Sequence, residues 1–147
     1  MATTHLARIA YASATNADVP RGELDTMLSM WRRGNARRGV TGLLLYHRES
    51  VFQVLEGFPD VVQDLYSTIA HDPRHRFVAK LIDESIDERS FGDWSMGHAR
   101  VARVDLGAVQ PLAPLLDPGF RYWHCDLAMA KALVEAFSAG PWRRSIS

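Results

Sequence analysis

The sequence predicts an α+β fold: a five-stranded mixed sheet with two helices on one face and C-terminal helices capping the other. Three observations lead there. Residues 39–57, GVTGLLLYHRESVFQVLEG, divide into two apolar, β-branched runs, 40–46 and 51–55, about the polar turn HRES at 47–50, the pattern of a β-hairpin. The segments that flank this hairpin, 21–38 and 59–71, repeat their apolar residues at intervals of three and four, the period of a helix. Two further segments, 5–12 and 77–82, read as strands, which gives the sheet more than the hairpin alone.

Composition narrows the class. At 147 residues the chain suits one domain, able to bury about two-thirds of the surface it exposes when unfolded. Its 47% hydrophobic and 23% charged residues are those of an ordinary soluble globular protein. Seventeen basic residues balance seventeen acidic ones, so no basic footprint for nucleic acid is present. No apolar run approaches the roughly 18 residues of a membrane span, and the opening MATTHLARIA lacks the charged and apolar regions of a secretory signal. The single cysteine, Cys125, excludes an intramolecular disulfide and fits a reducing cytoplasm.

Taken in order, HLARIAYA at 5–12 alternates, with Ala7, Ile9 and Tyr11 on one side and Leu6, Arg8 and Ala10 on the other. Turn residues at 13–18 and Pro20 end that strand. The first helix, 21–38, carries Leu24, Met27, Leu28 and Trp31 as its inward stripe, and Gly39 stops it. Four residues further along the same stripe lies Asn35. The hairpin follows, then a second helix opened by Pro59 and Asp60, with Val62, Leu65, Tyr66 and Ile69 facing inward. Residues 77–82 form a fourth strand, DESIDERS a charged turn, and 94–104 a fifth strand with Trp94 and Met96 on one face. The order β-α-β-β-α-β-β is the ferredoxin-like arrangement with an added strand. The remainder covers the free face: an irregular helix at 107–116, and a better one at 122–138 whose stripe is Trp123, Leu127, Ala130, Val134 and Phe137.

Gln53 stands out. Alternation puts it beside Val51 and Leu55 and sends Phe52 and Val54 to the other face, so its strand is apolar on both sides. A primary amide there carries two donors and an acceptor that something polar must meet. Tyr11 leaves the first strand and Asn35 the inward stripe of the first helix, and both elements are neighbours of the Gln53 strand. These three groups either satisfy one another and the nearby backbone, or hold a flat ligand with polar edges in an apolar slot.

The residues that carry this pattern resemble a known family. Tyr11, the string NARRGVTGLLLY from Asn35 to Tyr46, FQVLEG from Phe52 to Gly57, DPRH from Asp72 to His75 and RSFGDWSM from Arg89 to Met96 look like the BLUF domain, the blue-light sensor using FAD. The resemblance covers about 6–101 and implies a stand-alone photoreceptor, not an enzyme, with 1–104 as the flavin-binding core and 105–147 as its helical cap. It implies that Gln53 bonds the flavin near N5 and O4, that Asn35 meets the C4 carbonyl edge, and that Tyr11 bonds Gln53. Arg74 and His75 match a basic pair near the outer flavin or its ribityl chain, and Trp94 and Met96 the fifth-strand residues that report the network's state. Gly34 stands where many members have a hydrogen-bonding side chain, and Trp31 where a small hydroxyl is frequent. With no effector segment apparent after the cap, signalling is expected through a homo-oligomer or a separate protein.

Other signals are weaker. His71 and His75 sit four apart, but Pro73 between them opposes the continuous helix that would aim both at a metal. His124 and Cys125 are adjacent, so on a helix they point about 100° apart, which does not make a nucleophile and its base. No glycine-rich phosphate loop is present, since Gly39-Val-Thr-Gly42 enters a strand. The ring would then be the part gripped, and FMN or riboflavin could replace FAD. The rival classes are a cofactor-free ferredoxin-like interaction module and a flavin-dependent enzyme, the latter lacking any evident acid, base or nucleophile set beside the ring.

Overall fold

In a computed structural model of the chain, which describes residues 5–15, 33–35, 37–47, 50–71, 75–91, 97–99 and 121–138, the hairpin is formed by strands β2 (Thr41–His47) and β3 (Ser50–Gly57). They pair antiparallel from Thr41↔Glu56 to His47↔Ser50. Gly42 is required within this pair: a Cβ there would lie 1.8 Å from the carbonyl oxygen of Val54. Strand β1 (Leu6–Thr15) lies antiparallel to β3 on one side and to β4 (His75–Ile86) on the other, while β5 (Gly97–Ala99) runs parallel to β2. The order across the sheet is β4-β1-β3-β2-β5, so β3 is central and every one of its residues is buried.

Alternation along the strands divides the core in two. On one face Ile9, Tyr11, Leu44, Val51 and Leu55 pack with Val40 and with Val62 of the helix Pro59–Ala70; Leu65, Tyr66 and Ile69 of that helix adjoin them half-buried. On the other, Ala10, Ala12, Leu43, Leu45, Phe52, Val54 and Ile82 meet Tyr122, Cys125, Met129, Ala130, Leu133 and Val134. The described helices thus sit on opposite faces. Of the first helix only 33–35 and 37–38 are described; most of its stripe, the reading of 107–116 and all but 97–99 of the fifth strand lie outside the described residues. Gly39 (φ +69°) ends that helix, and Val40 N–H returns to the Asn35 carbonyl at 2.9 Å, the six-to-one bond of a Schellman motif. Among the described residues no helix is long and apolar enough to cross a membrane.

Three boundaries differ from the sequence reading. β1 continues through Ser13, Ala14 and Thr15, read above as turn, because each finds a strand partner: Ser13↔Val51, Ala14↔Ser50 and Thr15↔His75. Pairing on both sides overrides the local turn preference. β4 likewise starts at His75 and takes in the DESI of the supposed charged turn; it is an edge strand, where charged side chains reach water. The single helix at 122–138 is instead a 3₁₀ turn, Tyr122–His124, followed by the helix Leu127–Ser138. Asp126 starts the latter by accepting the Met129 N–H on its carboxylate at 2.9 Å, a cap that the apolar pattern hides. The buried stripe is therefore Met129, Ala130, Leu133 and Val134, and Leu127 is 51% exposed.

Buried polar contacts lock these pieces. Glu56, fully buried on β3, receives Arg8 Nε at 2.8 Å and the N–H groups of Phe91 at 2.8 Å and Ser90 at 3.2 Å. Arg8 also reaches Glu84 at 2.9 Å and the Ser90 hydroxyl at 2.6 Å. The next cation, Arg89, donates to the carbonyls of Gly39 (2.7 Å) and Glu56 (2.9 Å) and to the Thr41 hydroxyl (2.9 Å). At the other end of β3 the Ser50 hydroxyl accepts the Tyr122 N–H at 3.0 Å, docking the C-terminal segment.

Two predictions follow from this packing. Arg8→Met strands the Glu56 carboxylate and is expected to lower unfolding free energy by about 3–5 kcal/mol in a denaturant titration. Burial, with Asp126 adding to it, pushes the Cys125 thiol from 9.0 up to about 12, and burial also holds the Tyr122 phenol above its usual range. The unfolded chain releases the thiol proton near pH 9 while the folded one keeps it, so stability should fall as pH rises from 9 towards 12. At neutral pH the folded state therefore holds less thiolate than the unfolded chain, and alkylation of Cys125 should be slow until urea is added.

Candidate functional site

The antiparallel register between β1 and β3 sets Tyr11 directly opposite Gln53, on the face covered by the helix Pro59–Ala70. Residues so opposed put their side chains on the same face within reach of each other. Tyr11 is 0% and Gln53 3% exposed, and the phenol donates its hydrogen to the amide oxygen of Gln53. From β2, Leu44 flanks Gln53 on its other side. The surroundings are apolar, as the alternation implied, and the amide oxygen is turned towards a phenol.

Asn35 is 5% exposed. Its backbone carbonyl closes the Schellman turn with Val40, which belongs to the same apolar cluster as Tyr11. Arg89 fastens the Gly39 carbonyl at the end of that turn. Among the described residues the Asn35 carboxamide has no hydrogen-bond partner, and a buried carboxamide carries donors and an acceptor that call for one. Gly34, immediately before it, is half-buried and adds no side chain.

The other residues singled out from the sequence fare differently. His75 pairs with Thr15 at the start of β4, but its side chain is not among those described. Arg74, Trp94, Met96 and Trp31 lie outside the described residues. His71 is exposed at the end of its helix, with Nδ1 2.7 Å from the Ser67 carbonyl oxygen, and among the described residues no group of three or more metal-ligating side chains forms. His124 is exposed and accepts the Arg121 N–H at 3.3 Å, whereas Cys125 is buried in the cap cluster.

Two contacts were not anticipated. The Tyr66 ring meets that of Tyr11 edge-on, with centroids 5.7 Å apart and planes at 65°, and the Lys80 ammonium sits 4.8 Å from the Tyr66 centroid. Tyr66 was legible as an inward residue. Its particular neighbour was not, because helix-to-sheet placement is a tertiary property. A cavity of about 330 Å³ also opens beside the two helices, lined by Arg38, Val61, Asp64, Leu65 and Thr68. It is at the small end of the roughly 300–1,000 Å³ typical of ligand sites, and its described lining does not include Tyr11, Asn35 or Gln53.

Comparison with known proteins bears on this geometry. The model of the family of sensors of blue light using FAD, BLUF, matches residues 6–97, more than half of the chain. The blue light- and temperature-regulated antirepressor BluF of Escherichia coli K12 is 34% identical over 91 residues, 62% of this chain and 23% of that protein. A photoactivated adenylate cyclase subunit beta of Euglena longa is 33% identical over 113 residues, 76% of this chain and 13% of that protein. The chain thus spans less than a quarter of these relatives' length. Among solved structures, BlsA in its ground state superimposes with a TM-score of 0.80 at 27% identity, covering 92% of this chain and 89% of that one.

Proposed function

The chain belongs to the BLUF family, the sensors of blue light using FAD, and on that premise we propose that Tyr11, Gln53 and Asn35 are the side chains through which it holds and reads its flavin. It is a blue-light flavin sensor. The observation that carries the residue assignment is the buried phenol donating to a buried carboxamide at one register position of β1 and β3. The fit with a flavin rests on Asn35. Its buried carboxamide, without a partner among the described residues, offers the donor and acceptor that the polar edge of such a ring would use. Arg74 and His75 would serve its ribityl side.

When bound, the flavin supplies the blue absorption and, once excited, an electron acceptor. The chain's own contribution is the response of Gln53. With its oxygen held by the Tyr11 hydroxyl, its NH₂ group is the end presented elsewhere. A phenol can both donate and accept, so Tyr11 tolerates either end of a turned amide, while the far end changes from donor to acceptor. A rotated or tautomeric Gln53 is thus a second arrangement that keeps the bond to Tyr11, and the two differ in what they ask of their other neighbours.

The signal leaves through Trp94 and Met96 on the way to β5. Supporting this, Glu56, three residues from Gln53 on β3, binds the backbone of Ser90 and Phe91, from which the chain runs into that segment. Residues 1–104 then form the sensing core and 105–147 the cap that responds, biasing a two-state packing. We read the output as a change in self-association or in binding to a separate protein, in the cytoplasm. The cyclase activity named for the Euglena relatives belongs to those longer proteins. FAD is the flavin of the family description, and FMN or riboflavin would offer the same ring.

Purified protein is expected to be yellow, and blue light to move its absorption reversibly to longer wavelength. A colourless preparation that cannot be reconstituted with flavin would instead indicate a cofactor-free interaction module. Gln53→Leu should keep the flavin and lose the shift; a normal shift in that variant would refute the role given to Gln53. Asn35→Ala should weaken flavin binding about tenfold, the effect of one lost buried hydrogen bond, as read from a fluorescence titration.

A further inference from the structure

β1 and β4 pair regularly as far as Ala10↔Ile82, and then Tyr11 faces Lys80, so that Leu81 is passed over. A bulge of this kind leaves one residue unpaired and re-aims the side chains beyond it. The packing carries its mark: Leu81 and Ile82, consecutive in the strand, both contact the cluster under the C-terminal helix, whereas consecutive residues of a regular strand face opposite ways. Without the bulge Leu81 would oppose Tyr11, and Lys80 would oppose Ala12 on the capped face. With it, the lysine shares a face with the phenol.

On that face Lys80 Nζ lies 4.8 Å from the centre of the Tyr66 ring and 3.0 Å from Asp83 Oδ2, its side chain 31% exposed. Tyr66 in turn presents its ring to Tyr11 in the T-shaped geometry that the aromatic quadrupole favours. We propose that Tyr66 and Lys80 are positioning residues for Tyr11: the bulge at Leu81 delivers an ammonium to the outer ring, and that ring braces the buried phenol in the orientation that reaches Gln53. Tyr66 is half-buried on a helix that contributes one fully buried residue to the core, Val62, so a cation held over its ring by Asp83 limits its swing. The edge contact then restricts the Tyr11 ring, whose hydroxyl direction decides which end of the Gln53 amide it meets. This assignment rests on reading Tyr11 and Gln53 as the light-responsive pair.

Four variants of the full chain test it: Tyr66→Phe and Lys80→Arg, which keep ring and charge, and Tyr66→Leu and Lys80→Gln, which remove them. Two readouts apply. Proton NMR, with and without flavin, follows exchange of the Tyr11 hydroxyl proton with water, and absorption follows the return of the light-shifted form in darkness. The conservative pair should match wild type. The other pair should speed both processes about two- to fivefold, the factor associated with losing a partly exposed cation–π or aromatic edge contact. Wild-type rates in Tyr66→Leu and Lys80→Gln, or Tyr66→Phe behaving as Tyr66→Leu does, would overturn the positioning role while the light-induced shift itself stands. A wild-type protein that binds flavin but never shifts would overturn the reading of Tyr11 and Gln53, and this inference with it.

Discussion

A carboxamide in the middle of a strand buried on both faces is the constraint on which the rest of this structure depends. Left unmet, its polar atoms would cost about 1–3 kcal/mol, a large part of a domain's net stability. Tyr11 meets the oxygen from the adjoining strand because the antiparallel register places the two directly opposite. A slip of one residue would carry Tyr11 to the capped face and separate phenol from amide. The site is therefore a consequence of register, and register is what the surrounding polar contacts maintain.

Those contacts stand at both ends of the pairing. Towards one end Arg8 and Glu56 are register partners joined by an ion pair whose carboxylate is fully buried. At the other, Ala14 pairs with Ser50, whose hydroxyl takes the Tyr122 N–H. Tyr11 and Gln53 lie between these two fixed points. Arg89 extends the frame sideways, binding the Gly39 carbonyl at the end of the helix that carries Asn35 and the Glu56 carbonyl on β3. Helix end, central strand and the loop before β5 are thus held by one guanidinium, which ties the helix end that carries Asn35 to the same scaffold as the Tyr11–Gln53 pair.

The division of the core gives the proposed signal short routes outward. Gln53 faces the helix Pro59–Ala70, while its immediate neighbours Phe52 and Val54 face the cap. The Phe52 ring is 6.1 Å from that of Tyr122, so the strand that carries Gln53 is also the floor on which the C-terminal segment rests. On the function proposed above, an amide in the core has a use: a residue with two unlike ends can serve two different hydrogen-bonded arrangements.

Periodicity and residue chemistry by themselves determined the α+β class, the hairpin, the helix after it, the two faces of β3 and the three polar side chains worth pursuing. These are local properties, visible because side-chain direction repeats every two residues in a strand and every 3.6 in a helix. Only the tertiary structure decided where strands end, since the turn-like 13–15 and the charged 83–86 become strand when neighbours supply hydrogen-bond partners. It alone decided that Glu56 would be buried and paired with Arg8, and that a bulge would bring Lys80 to the side of Tyr11. Each of these depends on a partner dozens of residues away or on an irregularity of a single residue, and neither leaves a period in the sequence to be read.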